Sequence, residues 1–92
     1  MSLHIRPATL ADAAAIAPLF DAYRQFYEQP ADLAAAQRFI HERLERNESV
    51  ILVAQDDAGA AVGFCQLYPS FCSVEAAPIY ELNDRCVAPS AR

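Results

Sequence analysis

The fold is decided by residues 49–68. They read Ser49-Val50-Ile51-Leu52-Val53-Ala54-Gln55, then Asp56-Asp57-Ala58-Gly59, then Ala60-Ala61-Val62-Gly63-Phe64-Cys65-Gln66-Leu67-Tyr68. Two mostly apolar runs flank four residues of turn chemistry, which predicts a β-hairpin and hence antiparallel pairing. The run from Val50 to Ala54 is apolar at both alternating phases. A strand of that kind is expected to need a layer on each face of its sheet.

On the N-terminal side, Leu3–Arg6 reads as a strand stopped by Pro7. Thr9 reads as a helix N-cap, with Asp12 three positions on in a variant capping box. A helix is expected from about Leu10 to Glu28. Its apolar stripe is Ile16, Leu19, Phe20, Tyr23, Phe26 and Tyr27, and Pro18 inside it is expected to kink it. Asp32 can cap a second helix over about Leu33 to Arg46, with Asn47 as its stop. On the C-terminal side, Pro69–Pro78 reads as a loop and Ile79–Val87 as a fourth strand. The order β-α-α-β-β-β implies an α+β class with an antiparallel sheet. Two helices most simply cover one face of it. Nothing left in the chain can cover the other, so the chain is expected to associate or to be part of a larger domain.

The 92 residues suit one small domain. An apolar content of 54% excludes a disordered polar chain. Twelve acids against seven bases leave a formal charge of −5, which argues against a general nucleic-acid binder. No apolar run reaches the roughly 18 residues of a membrane span, and residues 1–7 lack the pattern of a signal peptide. The expectation is a cytoplasmic protein with neither nucleic acid nor membrane as partner. Cys65, Cys72 and Cys86 are odd in number and show no C-x-x-C spacing. They indicate neither a disulfide framework nor a zinc knuckle, and free, buried or half-buried thiols are expected.

Three pieces in order carry a family resemblance. Ile5-Arg6-Pro7-Ala8-Thr9, with Asp12-Ala13 and Ile16, resembles the opening of Gcn5-related N-acetyltransferases. Ala61-Val62-Gly63-Phe64 is similar to their third strand. Leu82-Asn83-Asp84-Arg85-Cys86-Val87-Ala88-Pro89-Ser90-Ala91-Arg92 resembles their fourth strand and the lead-in to the cofactor loop, and its L-x-D start is similar to the diamine and polyamine branch. The resemblance implies an acyl-CoA N-acyltransferase fold of which residues 1–92 are the N-terminal part, incomplete because the C-terminal half is missing. Arg92 would stand first in the signature whose backbone N–H groups cradle the coenzyme A pyrophosphate.

The same resemblance implies a reaction and roles. Acetyl-CoA would be the cosubstrate and a small-molecule amine the acceptor. Arg85, Cys86 and Val87 would give backbone contacts to the cofactor's pantetheine arm. Asp84 or Glu81 would help remove the amine's proton, and Asn83 and Tyr27 would line the amine site. Strand alternation puts Asp84 opposite to Glu81 and Asn83 unless a bulge intervenes. The segment Tyr68-Pro69-Ser70-Phe71-Cys72-Ser73 would border the same cleft. The 92-residue chain by itself is expected to be inactive. A reading of another class stays open: a non-enzymatic small domain that forms a homodimer through its open sheet.

Overall fold

The computed structural model describes residues 2–89. Arg92, expected at the head of the phosphate-binding signature, lies outside the described residues. Four strands, β1 (His4–Pro7), β2 (Val50–Gln55), β3 (Ala61–Cys72) and β4 (Ala77–Val87), form one sheet in the order β1-β2-β3-β4. All three pairings are antiparallel. Between β1 and β2 run a short 3-10 turn, Leu10–Asp12, and the helices α1 (Ala13–Phe26) and α2 (Leu33–Glu45). The α+β class and the antiparallel sheet expected from the sequence are the ones observed.

Local chemistry explains the element ends. Asp12 accepts the Thr9 N–H at 2.7 Å and takes both Arg6 guanidinium nitrogens at 2.7 and 2.8 Å. One carboxylate thereby ties β1 to the first helical turn. Asp32 accepts the Ala35 N–H at 3.0 Å and caps α2 as its position suggested. Asn47 closes α2 with φ of 54°, the left-handed conformation that asparagine tolerates. In the hairpin, Asp56 accepts the N–H groups of Ala58 and Ala60, and Gly59 supplies φ of 86°.

The core lies on one side of the sheet. Ile16 and Phe20 of α1, Ala36 and Ile40 of α2, and Ile51, Val53 and Phe64 of the sheet form a single buried cluster. Direct cross-strand partners share a face, so the opposite phase can be read from the register. It places Leu52, Cys65 and Arg85 in one row and Val50, Leu67 and Leu82 in the next. Ile5, Val50, Leu82 and Val87 on this second face are exposed. Both helices cover the same face and leave an apolar sheet surface bare among the described residues.

The sequence-based loop over Pro69–Pro78 is corrected. β3 continues to Cys72, Ser73–Ala76 is a tight turn, and β4 starts at Ala77. Pro69 is tolerated there because β3 and β4 form a two-stranded ribbon beyond the end of β2, and a proline's missing donor can face its free side. The apolar stripe of α1 is also narrower than its spacing suggested. Ile16 and Phe20 are buried, but Phe26 is 79% exposed and Tyr27 60%. The three cysteines are half-buried and outside any disulfide. Among the described residues no helix is long and apolar enough to cross a membrane.

Candidate functional site

The register of β3 and β4 shifts by one residue, from Leu67 paired with Leu82 to Gln66 paired with Asp84. Asn83 is the extra residue of a β-bulge. In an unbroken ladder Gln66 would face Asn83, and Asp84 would point to the bare side of the sheet. The bulge turns Asp84 to the helix side instead. Glu81, the partner of Tyr68, lies on that same side. The alternation expected to separate Glu81 from Asp84 is therefore broken, and the two carboxylates share a face.

Asp84 sits at the centre of a polar cluster. Gln66 Nε2 donates to Asp84 Oδ2 at 2.6 Å, and the Tyr68 hydroxyl approaches the same oxygen at 3.5 Å. Tyr23 of α1 leans over the carboxylate. Burial first, and then the Asp84 carboxylate, push the Tyr23 phenol up to about 12. The same two causes, in the same order, raise Tyr68 above the ordinary tyrosine value. Both phenols therefore stay protonated at neutral pH and remain donors. The Tyr23 hydroxyl donates weakly, at 3.4 Å, to the Asn83 carbonyl and so touches the bulge itself.

Two openings flank Tyr23. A cavity of about 340 Å³ lies between Leu19, Tyr23, Phe26 and Tyr27 of α1 and the segment Arg85–Pro89. A smaller one, about 230 Å³, is bounded by Tyr23, Tyr27, Leu82, Asn83 and Arg85. Tyr23, Tyr27 and Arg85 belong to both. The aromatic rings are packed edge to face: Tyr23 on Tyr27 at 5.1 Å and Phe26 on Tyr27 at 5.3 Å between centroids. An aromatic rim with a carboxylate behind it suits an organic cation.

The expected site residues separate into groups. Tyr27, Asn83, Arg85, Cys86 and Val87 line one or both cavities. Asp84 lines neither; it stands behind Tyr23. Glu81 is exposed on the same sheet face and borders neither cavity. Of the segment Tyr68–Ser73, Tyr68 reaches Asp84, while Phe71 is 81% exposed on the ribbon. The remainder of that segment is strand and turn rather than a loop over the cleft. The sequence reading placed Tyr23 in the apolar stripe of the first helix, and it passed over Gln66 and Ser49. Gln66 had a signal: it shares the phase of Phe64 and Tyr68, so it is a polar side chain at a core position.

An acyl-CoA arm can be tested against this geometry. Its thin, amide-bearing chain needs an apolar trough walled by strand backbone. The larger cavity has aromatic and aliphatic side chains on one wall and the end of β4 on the other. β4 is the terminal strand of the described sheet, and its bulge breaks the regular ladder. Gly63 allows β4 to come close: a Cβ there would meet the Cys86 carbonyl at 3.1 Å. The residues present fit such a group.

No family model matches the chain. It is 54% identical over 90 residues to the "Uncharacterized N-acetyltransferase YhfO" of Bacillus subtilis, covering 98% of this chain and 60% of the relative. A crystal structure of a probable acetyltransferase superposes with a TM-score of 0.86 at 43% identity, over 97% of this chain and 60% of its own. A predicted acetyltransferase of Clostridium acetobutylicum, solved with acetyl-CoA, gives 0.71 at 13% identity over 99% of this chain and 63% of its own. At that identity the likeness is one of fold. The chain spans about 60% of the length of the first two.

Proposed function

From a chain whose homologues are N-acetyltransferases and whose fold is the Gcn5-related acyl-CoA N-acyltransferase fold, we propose that these residues carry the amine side of an acetyl-CoA-dependent transfer to a small amine. The observation that carries the reading is the bulge at Asn83. It puts Asp84 on the helix side, behind Tyr23, which lines the cavity that fits an acyl-CoA arm.

An ammonium cannot attack a carbonyl until it loses a proton. Asp84 accepts that proton, through water past Tyr23, and Glu81 on the same face draws the cation in and passes the proton to solvent. Tyr27 and Asn83 orient the amine in the smaller cavity. Arg85, Cys86 and Val87 hold the pantetheine arm through their backbone, and Arg92 begins the phosphate-binding segment. Acetyl-CoA, when bound, supplies the acetyl group as a thioester. The activity belongs to the full-length arrangement of the relatives, and the 92 residues alone are assigned none.

The test is a thiol-release assay with acetyl-CoA and a panel of primary amines. It uses the 92-residue chain and the same chain continued by the remaining C-terminal residues of the Bacillus subtilis relative. The continued chain should turn over, and Asp84→Asn should lower its kcat by about 10²-fold or more. No turnover by the continued chain with any amine sinks the transferase reading; turnover by the 92 residues alone sinks the assignment of inactivity.

One observation favours a second reading. The bare apolar face with Ile5, Val50, Leu82 and Val87 suits a homodimer that closes it without any catalysis. A monodisperse dimer that binds no coenzyme A would support that reading.

A further inference from the structure

Gln66 is completely buried, at 0% exposure, yet its side chain carries a donor and an acceptor. Leaving either unpaired there would carry the full desolvation penalty of that group. Neither is unpaired. Ser49, itself buried just before β2, donates its hydroxyl to Gln66 Oε1 at 2.7 Å, and Gln66 Nε2 donates to Asp84 Oδ2 at 2.6 Å.

The arrangement has one direction. If the amide were turned over, its carbonyl oxygen would meet the Asp84 carboxylate, acceptor against acceptor. The serine hydroxyl can serve either way, whereas an ionised carboxylate can only accept. Asp84 therefore sets the amide, and Ser49 holds it there. The bond to Asp84 is at the short end for a charge-assisted contact, and it lands on the same oxygen that the Tyr68 hydroxyl approaches. A hydrophobic side chain at position 66 would fill the core equally well without any of this. The amide acts on Asp84, and it does so only because the bulge at Asn83 brings the two face to face.

We propose that Gln66 is a positioning residue: held by Ser49, its amide fixes the Asp84 carboxylate in one orientation beneath Tyr23, ready for an amine cation. This rests on the reading of Asp84 as the proton acceptor. The geometric half of it stands apart from that reading and can be measured separately.

The experiment is NMR on the 92-residue chain. The Gln66 side-chain NH₂ resonances and the Asp84 carboxyl carbon are followed together through an acid titration. The expected result is one shared midpoint, with one amide proton moving downfield as Asp84 ionises. Ser49→Ala, which removes a single oxygen, should blur or split the Gln66 signals. Butane-1,4-diamine is then titrated into the wild type and into Q66M, which keeps the side-chain length but has no N–H to give Asp84. Binding should weaken by about tenfold or more in Q66M. The proposal is overturned if the Gln66 NH₂ signals ignore the Asp84 titration, or if Q66M binds the diamine as the wild type does. If the wild type binds no diamine while the amide still titrates with Asp84, the positioning stands and the amine-transfer reading fails.

Discussion

Asp12 shows how much one side chain organises at the start of the chain. It pairs with Arg6 through two short contacts and caps the first turn through the Thr9 N–H. The Arg6 guanidinium, with help from the Thr9 N–H, holds its carboxyl well below the usual carboxylate range. The folded state thus favours the ionised form. Its contribution is complete above the unfolded value of about 3.9 and is lost as pH falls below it towards the folded value, where the unfolded chain binds more protons. Asp12→Ala should cost about 1–2 kcal/mol at neutral pH. The variant's thermal midpoint should fall less steeply between pH 4 and pH 2 than that of the wild type. An unchanged acid slope in a calorimetric pH series would show that Asp12 is not the group responsible.

At the scale of elements, β4 is the part that structure changed most. Its residues were legible as a strand, but a bulge is a property of two strands and not of one. Alternation along β4 alone cannot reveal that Gln66 pairs with Asp84 and Leu67 with Leu82. Deleting Asn83 provides a direct test. Both of those pairs can survive the deletion, so the sheet and the Gln66–Asp84 bond should persist with a loss of no more than about 1–3 kcal/mol. The bulge, two residues before the Arg85–Pro89 wall of the larger cavity, would be gone. Coenzyme A binding to the continued chain, read by calorimetry, should then fall by at least about tenfold while the thermal midpoint shifts by only a few degrees. Retained affinity would separate the bulge from cofactor binding. Similarly, the extension of β3 through Pro69 was hidden because a proline normally argues against a strand. It is permitted only where the strand lacks a neighbour on that side.

At the scale of the whole molecule, the decisive fact is asymmetry. One face of the sheet carries two helices and the buried cluster, while the other shows Ile5, Val50, Leu82 and Val87 to solvent. A surface of that kind promotes association. The 92-residue chain should bind a hydrophobic dye and elute above its monomer size at micromolar concentration. Leu82→Lys and Ile5→Lys together should shift it to monomer, because neither side chain belongs to the buried cluster. If the double variant unfolds, or the wild type is a dye-silent monomer, the bare face does not act as a sticky surface. The residues of 49–68 had already announced this face, since Leu52 and Ala54 alternate with Ile51 and Val53 in one continuous apolar run.

The sequence by itself determined the class, the element order, the hairpin, the caps at Thr9, Asp32 and Asn47, and the expectation of an uncovered sheet face. These are local properties: turn chemistry, capping geometry and periodicity act over a few residues and leave their mark in the order of residues. The family resemblance named Tyr27, Asn83 and Arg85 as site residues, and the structure places them along the two cavities. Only the tertiary structure decided that Glu81 and Asp84 share a face, that Phe26 and Tyr27 stand in solvent, and that Ser49 and Gln66 support Asp84. Those facts depend on register between strands far apart in the chain, and on which helix closes over them. Register is fixed by the summed packing of many side chains, and no single stretch of sequence carries that sum.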